Sequence, residues 1–336
     1  MVQEFTICVG TVGAGIWHSA DGGEHFKKAR MELPFFWEIG DIQVRALAVS
    51  PHDPHRIYAG SDVGVHVSGD NGASWEMLGL KLEGAHIWSL ALDPTDPDVI
   101  LVGTKPPAIL RSTDRGRSWT RLNAPIPERC PIPIGPPRVT ALVLDPRDHR
   151  KLFSGVEVGG IFHSHDGGES WRQLPQLGPR VESGIDIHGL ALTAGNPARL
   201  LVTTPDGIWA KEEGGGDFTL HQFPSIGNRQ SSAYTRGLAI KPGSSEVIFV
   251  GVGDVVFGET GAAHRSTDGG RSWQAMALPV APNSTVNGFA VNPADPELVV
   301  ANTINGYVYL SRDGGDSWRK LAREFSEIRA LAWLPN

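Results

Sequence analysis

One short turn recurs along the chain and limits the fold more than any other feature. The pattern Ser-x-Asp-x-Gly-x-Ser-Trp is complete in "SGDNGASW" (68–75), "STDRGRSW" (112–119), "SHDGGESW" (164–171), "STDGGRSW" (266–273) and "SRDGGDSW" (311–318). Weaker copies stand at "SADGGEHF" (19–26) and "KEEGGGDF" (211–218). The anchors Asp21, Asp70, Asp114, Asp166, Glu213, Asp268 and Asp313 fall between 44 residues (70 to 114) and 55 residues (213 to 268) apart. That period matches one four-stranded propeller blade and exceeds leucine-rich or ankyrin repeats. Seven such units consume the 336 residues as one ring. The expectation is an all-β, seven-bladed β-propeller of four-stranded antiparallel blades, with residues 1–336 as a single domain.

Each repeat reads in the same order. In "VRALAVSPHDPHRIYAGSDVGVHVSGDNGASWEML" (44–78), four strands are bounded by Pro, Asp or Gly, as hairpins require. The chain begins on a second strand and ends on a first, "IRALAWLP". Both termini should therefore build one mixed blade that closes the ring and removes its open edges. The 41 glycines and 25 prolines fit short strands and tight turns, while 40% apolar residues and ten tryptophans supply a core. A net charge of −7 with no basic run argues against nucleic acid and against anionic lipid as partners. The start, "MVQEFTICVGTVG", reads as the chain's opening strand rather than a secretory leader. A cytoplasmic chain with Cys8 and Cys130 reduced is expected, with no membrane partner.

The turn resembles the Asp-box of bacterial neuraminidase repeats, and "SPHDPHRIYAG" followed by "SGDNGASW" is similar to sortilin-like and xyloglucanase-like propellers. That resemblance spans nearly the whole chain. It implies the propeller fold and a family that includes sialidases, other glycosidases, sorting receptors and a photosystem assembly factor. The physics of the turn is structural: the Asp side chain accepts hydrogen bonds from its own turn, glycine supplies positive φ, and the aromatic packs inward. Function should then lie in what does not repeat.

Aligning first strands gives a column at Arg45, Trp88, Thr140, His188, Arg236, Asn287 and Arg329, each followed by a small residue and then Leu or Phe. Strand parity places Gln43, His86, Arg138, Asp186, Tyr234, Thr285 and Glu327 above it. Leu47, Leu90, Leu142, Leu190, Leu238, Phe289 and Leu331 below it read as inter-blade core. The column lies 25 or 26 residues before each Asp turn, except from 236 to 268, where "GDVVFGETGA" lengthens the interval to 32. Length variation concentrates on one face of the disc, so the central mouth on that face is the candidate site.

Three arginines in one ring, Arg45, Arg236 and Arg329, suit a carboxylate or phosphate. The arrangement is similar to the arginine cluster with which sialidases hold a carboxylate, and that resemblance implies Tyr234, beside Arg236, as a nucleophile. A bland alternative pairs the arginines with Glu327, Asp186, Glu157 and Asp62 as a solvated network. His188 shares a strand face with Asp186, an imidazole–carboxylate pairing for a general base, with Glu157 as the alternative acid or base. Trp88, His86, Asp62, Lys105, Asn287 and Thr140 complete the candidate binding residues, with Asp206 and Asp254 on the rim. Phe35, Phe36 and Trp37 either cap a blade or wall a pocket. His86, His188 and Glu157 could meet at a metal, but none sits in an HxH or HExxH pattern, and no metal is expected. "GTVGAG" and "GVGDVVFG" fail the dinucleotide spacing, so no cofactor is expected either.

Three classes of function remain. The favoured one is a hydrolase or lyase acting on a small anionic or glycosidic, carbohydrate-like substrate at the funnel mouth. The others are a non-catalytic ligand binder and a protein-interaction or assembly propeller with a protein partner.

Overall fold

The computed structural model describes residues 5–33, 42–79, 84–131, 135–179 and 184–336. Among these, the inner strands of blades 1 to 6 are Val44–Val49, His86–Leu92, Arg138–Asp145, Gly189–Leu192, Tyr234–Ile240 and Val286–Ala290. Each leads an antiparallel four-stranded meander in chain order. Blade 7 is the expected mixed blade: Ile328–Pro335 pairs with Phe5–Thr11, which pairs with Ile16–Ser19 and then Lys27–Lys28. Every inner strand packs against the next, and Ile328–Pro335 packs against Val44–Val49, so the ring is closed.

One pairing was not legible in the sequence. Arg30–Met31 runs parallel to the outer strand Ser74–Met77 and makes the blade 1 sheet five-stranded. The chain must cross there from the rim of blade 7 to the axis of blade 1, and on the way it covers an open sheet edge. Phe35, Phe36 and Trp37 lie outside the described residues.

Blade-to-blade packing rests on two matched columns. The residue before each channel position is β-branched and fully buried: Val44, Ile87, Val139, Ile187, Thr235, Val286 and Ile328. Facing five of them is a glycine on the second strand of the preceding blade. A Cβ on Gly60 would come within 2.4 Å of Ile87, and one on Gly103 within 2.4 Å of Val139. Gly10, Gly155 and Gly251 face Val44, Ile187 and Val286 in the same way. The other two blades have Thr203 and Asn302 at this position. Their side chains donate instead to the next inner strand, Thr203 Oγ1 to the Arg236 carbonyl at 3.0 Å and Asn302 Nδ2 to the Ile328 carbonyl at 3.4 Å.

The repeated turn is a closed hydrogen-bond unit. In blade 5, Ser266 Oγ donates to Asp268 Oδ1 (2.8 Å) and accepts from the Gly270 N–H (2.8 Å). Ser272 donates its N–H to Asp268 Oδ1 (2.9 Å) and its hydroxyl to Oδ2 (2.6 Å). The Ser272 hydroxyl and backbone donors hold the Asp268 carboxyl well below the usual carboxylate range. The Trp75, Trp119, Trp171 and Trp318 indoles each donate to a glycine carbonyl of their own turn. The degraded copy differs: Glu213 reaches Arg147 (2.8 Å) and Lys151 (2.9 Å) in blade 3 instead of closing its own turn. Because Asp268 spends its oxygens on the turn, Asp268→Ala should lower stability by about 1–2 kcal/mol. Chemical denaturation checks this, and ligand binding at the funnel should be unchanged.

Candidate functional site

The seven residues of the aligned column form one ring. Arg45, Trp88, Thr140, His188, Arg236, Asn287 and Arg329 together line a constriction of about 120 Å³ on the propeller axis. Above it the channel widens to a mouth of about 560 Å³, walled by His86, Arg138, Tyr234 and Glu327 from the ring above. Lys105, Glu157, Pro106, Pro136 and the inserted segment at Val256 and Phe257 belong to the same wall. Below it, a bore of about 320 Å³ is lined by Leu47, Leu90, Leu142, Leu190, Leu238, Phe289 and Leu331. The leucine column does pack against the buried clusters of the blades, as expected, but these side chains are only half-buried and also line the axial opening.

Charge is unevenly neutralised around the mouth. Arg138 is ion-paired with Glu157, and Arg329 with Glu327. Arg45 instead donates Nη2 to the Gln43 amide oxygen (2.5 Å), and Arg236 donates Nη1 to the Tyr234 hydroxyl (3.0 Å). Among the described residues neither Arg45, Arg236 nor Lys105 has a carboxylate at ion-pair distance. Both Arg45 and Arg138 stack on the Trp88 indole, with guanidinium carbons 4.2 and 4.4 Å from the ring. Burial, then repulsion from Arg329, lowers Arg45 to about 10. Burial, then repulsion from Arg236 and Arg329, does the same to Arg138. Lys105 is lowered by burial and by Arg138 and Arg45, and burial lowers His86. The mouth is therefore a crowd of partly desolvated cations, in which an incoming anion relieves repulsion.

His188 is placed differently from a substrate-facing base. Its side chain is closed off from solvent, with Nδ1 against the Thr235 carbonyl (2.7 Å) and Nε2 against the Tyr234 hydroxyl (3.0 Å). The carbonyl requires an Nδ1–H; with the proton on Nδ1, Nε2 accepts a hydrogen bond from the Tyr234 hydroxyl, whose oxygen accepts from Arg236. His188 thus meets the funnel through Tyr234. Asp186 Oδ2 lies 3.5 Å from Nε2, and its Oδ1 is buried with no hydrogen-bond partner among the described residues, as are Arg45 Nε and Trp88 Nε1. Burial pushes the Tyr234 phenol up more than Arg236 pulls it down, which keeps it a hydroxyl rather than a phenolate at neutral pH.

The remaining candidates divide between wall and scaffold. Thr140 Oγ1 donates to the Ile187 carbonyl (2.6 Å), and Asn287 Nδ2 to the Ile328 carbonyl (3.5 Å), so both staple neighbouring blades. Asp62 turns back to accept the Gln43 N–H (3.1 Å), and Asp254 accepts from its own loop. A possible metal group does form among the described residues, but from Glu157, Asp186 and His188, whose ligand atoms lie within 4.8 Å of one another; His86 is not part of it. Arg138 on Glu157 and Tyr234 on His188 already engage two of these donors. From the sequence, Arg138 lines the mouth but has no binding role, and Phe257 is not among the candidates. Arg138 stood in the ring above the arginines, and Phe257 in the one repeat interval that is too long.

No protein-family model matches the chain. It is 29% identical over 301 residues to a xyloglucanase of Paenibacillus sp., an alignment covering 73% of this chain and 28% of that protein. It is 25% identical over 296 residues to the photosystem II assembly lipoprotein Ycf48 of Synechococcus sp. (strain CC9902), covering 84% of this chain and 77% of that one. Among solved structures, the GH74 xyloglucanase of Xanthomonas campestris superposes with a TM-score of 0.69 at 19% identity, covering 98% of this chain and 52% of that chain. The chain thus spans under a third of the Paenibacillus xyloglucanase's length. The structural likeness is one of fold. Its relatives include both glycoside hydrolases and an assembly factor.

Proposed function

We propose that the funnel mouth binds a small oxyanion, most simply a carboxylate-bearing molecule, between Arg45, Arg236 and Arg329 with Lys105 at the rim. One observation carries this reading: Arg45 and Arg236 point into a desolvated funnel with no carboxylate partner among the described residues, while neighbouring Arg138 and Arg329 have theirs. A purely structural charge network would pair every arginine, because an unpaired desolvated charge is costly. A bidentate carboxylate supplies the missing partner. Binding at this mouth is common ground between an enzyme and an assembly propeller, and both kinds occur among the relatives.

Catalysis on the bound anion, hydrolytic or lyase in type, is the second reading. It is favoured by the Arg236–Tyr234–His188 chain, which puts a hydroxyl with a proton acceptor behind it at the mouth. Titration calorimetry with succinate tests the binding reading. The intact protein should bind saturably, and Arg236→Ala should lose about 1.5–3 kcal/mol, the size of a charge-assisted contact. Equal affinity in the variant, or no binding by the intact protein, overturns it. In the catalytic reading, His188→Ala and Glu157→Gln should lower turnover of an anionic glycoside. Absence of turnover with succinate binding intact leaves a binder.

A further inference from the structure

We infer that the ligand is amphiphilic, an oxyanion carrying an apolar group, and that the loop at 254–260 supplies the wall for that group; this rests on the oxyanion reading above. Phe257 is 56% exposed and Val255 48%, the two most exposed large hydrophobics among the described residues, and both are on this one loop. An exposed phenylalanine on a slack loop would present no fixed surface. This loop is not slack.

Asp254 is wrapped by its own segment, accepting the Val255 N–H on Oδ1 (2.9 Å) and the Glu259 N–H on Oδ2 (3.2 Å). Gly258 N–H closes back on the Val255 carbonyl at 3.0 Å. A Cβ on Gly258 would sit 1.5 Å from Asp254 Oδ1, so only glycine permits the wrap. From outside the loop, Thr285 Oγ1 donates to the Val255 carbonyl (2.6 Å) and Asn305 Nδ2 to the Gly258 carbonyl (3.3 Å). The protein thus fixes an apolar side chain in water, at the cost of surface exposure, where its ring lies 5.0 Å from the Arg329 guanidinium. Val256 and Phe257 wall the same mouth as Arg45, Arg236 and Arg329, together with Pro106 and Pro136.

A small apolar carboxylate satisfies both parts at once. Its carboxylate meets the arginines, and its hydrocarbon covers Phe257 and excludes water from the clamp, strengthening it. The leucine bore below the constriction is a rival seat for the hydrocarbon. It lies beyond the narrow ring, however, and its side chains are already half-covered by neighbouring blades.

The test compares acetate with 3-phenylpropionate and with the straight-chain acids from butyrate to octanoate, by calorimetry on the full chain. Affinity should rise by about fourfold per buried methylene, the equivalent of ~0.8 kcal/mol. The phenylpropionate-to-acetate ratio should fall at least tenfold in Phe257→Ser and be largely restored in Phe257→Leu. It should not change in Leu220→Ser, a control on the outer strand of blade 4. If all the acids bind alike, the oxyanion reading stands and the amphiphile inference fails. If none binds, the oxyanion reading itself fails. A chain-length dependence that survives Phe257→Ser but is lost in a folded Leu142→Asn moves the hydrocarbon into the bore and overturns the role of the loop.

Discussion

Removing residues 328–336 should leave a chain that does not fold. The deleted segment is the innermost strand of blade 7, paired with the N-terminal strand from Phe5↔Pro335 to Thr11↔Ile328. It buries Ile328, Trp333 and Leu334 completely or nearly so. Each such side chain contributes roughly 1.5–3 kcal/mol. Together they approach the whole net stability of an ordinary domain, about 5–15 kcal/mol. The loss does not stop there. Phe5–Thr11 would become a bare edge strand, and the contact between blades 7 and 1 would open. Circular dichroism and a thermal melt decide the matter: the truncated chain should show no cooperative transition. A melt within a few degrees of the intact protein would mean that the ring does not depend on terminal closure.

The fold was legible because its signals are local and repeated. A turn that needs Ser, Asp, Gly and Trp at fixed offsets announces itself in five complete copies. The crossing of Arg30–Met31 onto blade 1 occurs once and depends on where the chain must travel, so no pattern foretells it. The channel ring was legible for a related reason. Seven first strands in one register put Arg45 through Arg329 at one height, and all seven line one constriction.

Roles were harder to read than places. Thr140 and Asn287 are polar and stand at the right height, yet their hydrogen bonds run to the next blade. His188 beside Asp186 suggested a base facing the ligand, but the Thr235 carbonyl, 47 residues away, captures Nδ1 and turns the ring into the wall. The leucine column reads as core and does pack against the blade clusters, but sequence shows polarity and not the width of the opening that the column also lines. Whether a side chain reaches solvent depends on partners far along the chain, and one strand's pattern does not contain them.

The claim that the mouth exists to hold an anion is tested most directly by neutralising the two mouth arginines that have no carboxylate partner among the described residues. In Arg45→Gln/Arg236→Gln, succinate binding should fall by at least a hundredfold, since two charge-assisted contacts at ~1.5–3 kcal/mol each are removed. The melting temperature should stay level or rise. Arg45 is held below its ordinary value by burial first and by Arg329 next, so its charged form is disfavoured in the fold, and a neutral side chain relieves that penalty. A structural network behaves in the opposite way: breaking it removes pairings and lowers the melting temperature. The decisive measurement is therefore affinity for succinate and thermal stability, taken together on this double variant. Lost binding with unchanged or higher stability is the predicted result; retained binding with a large drop in melting temperature would contradict it.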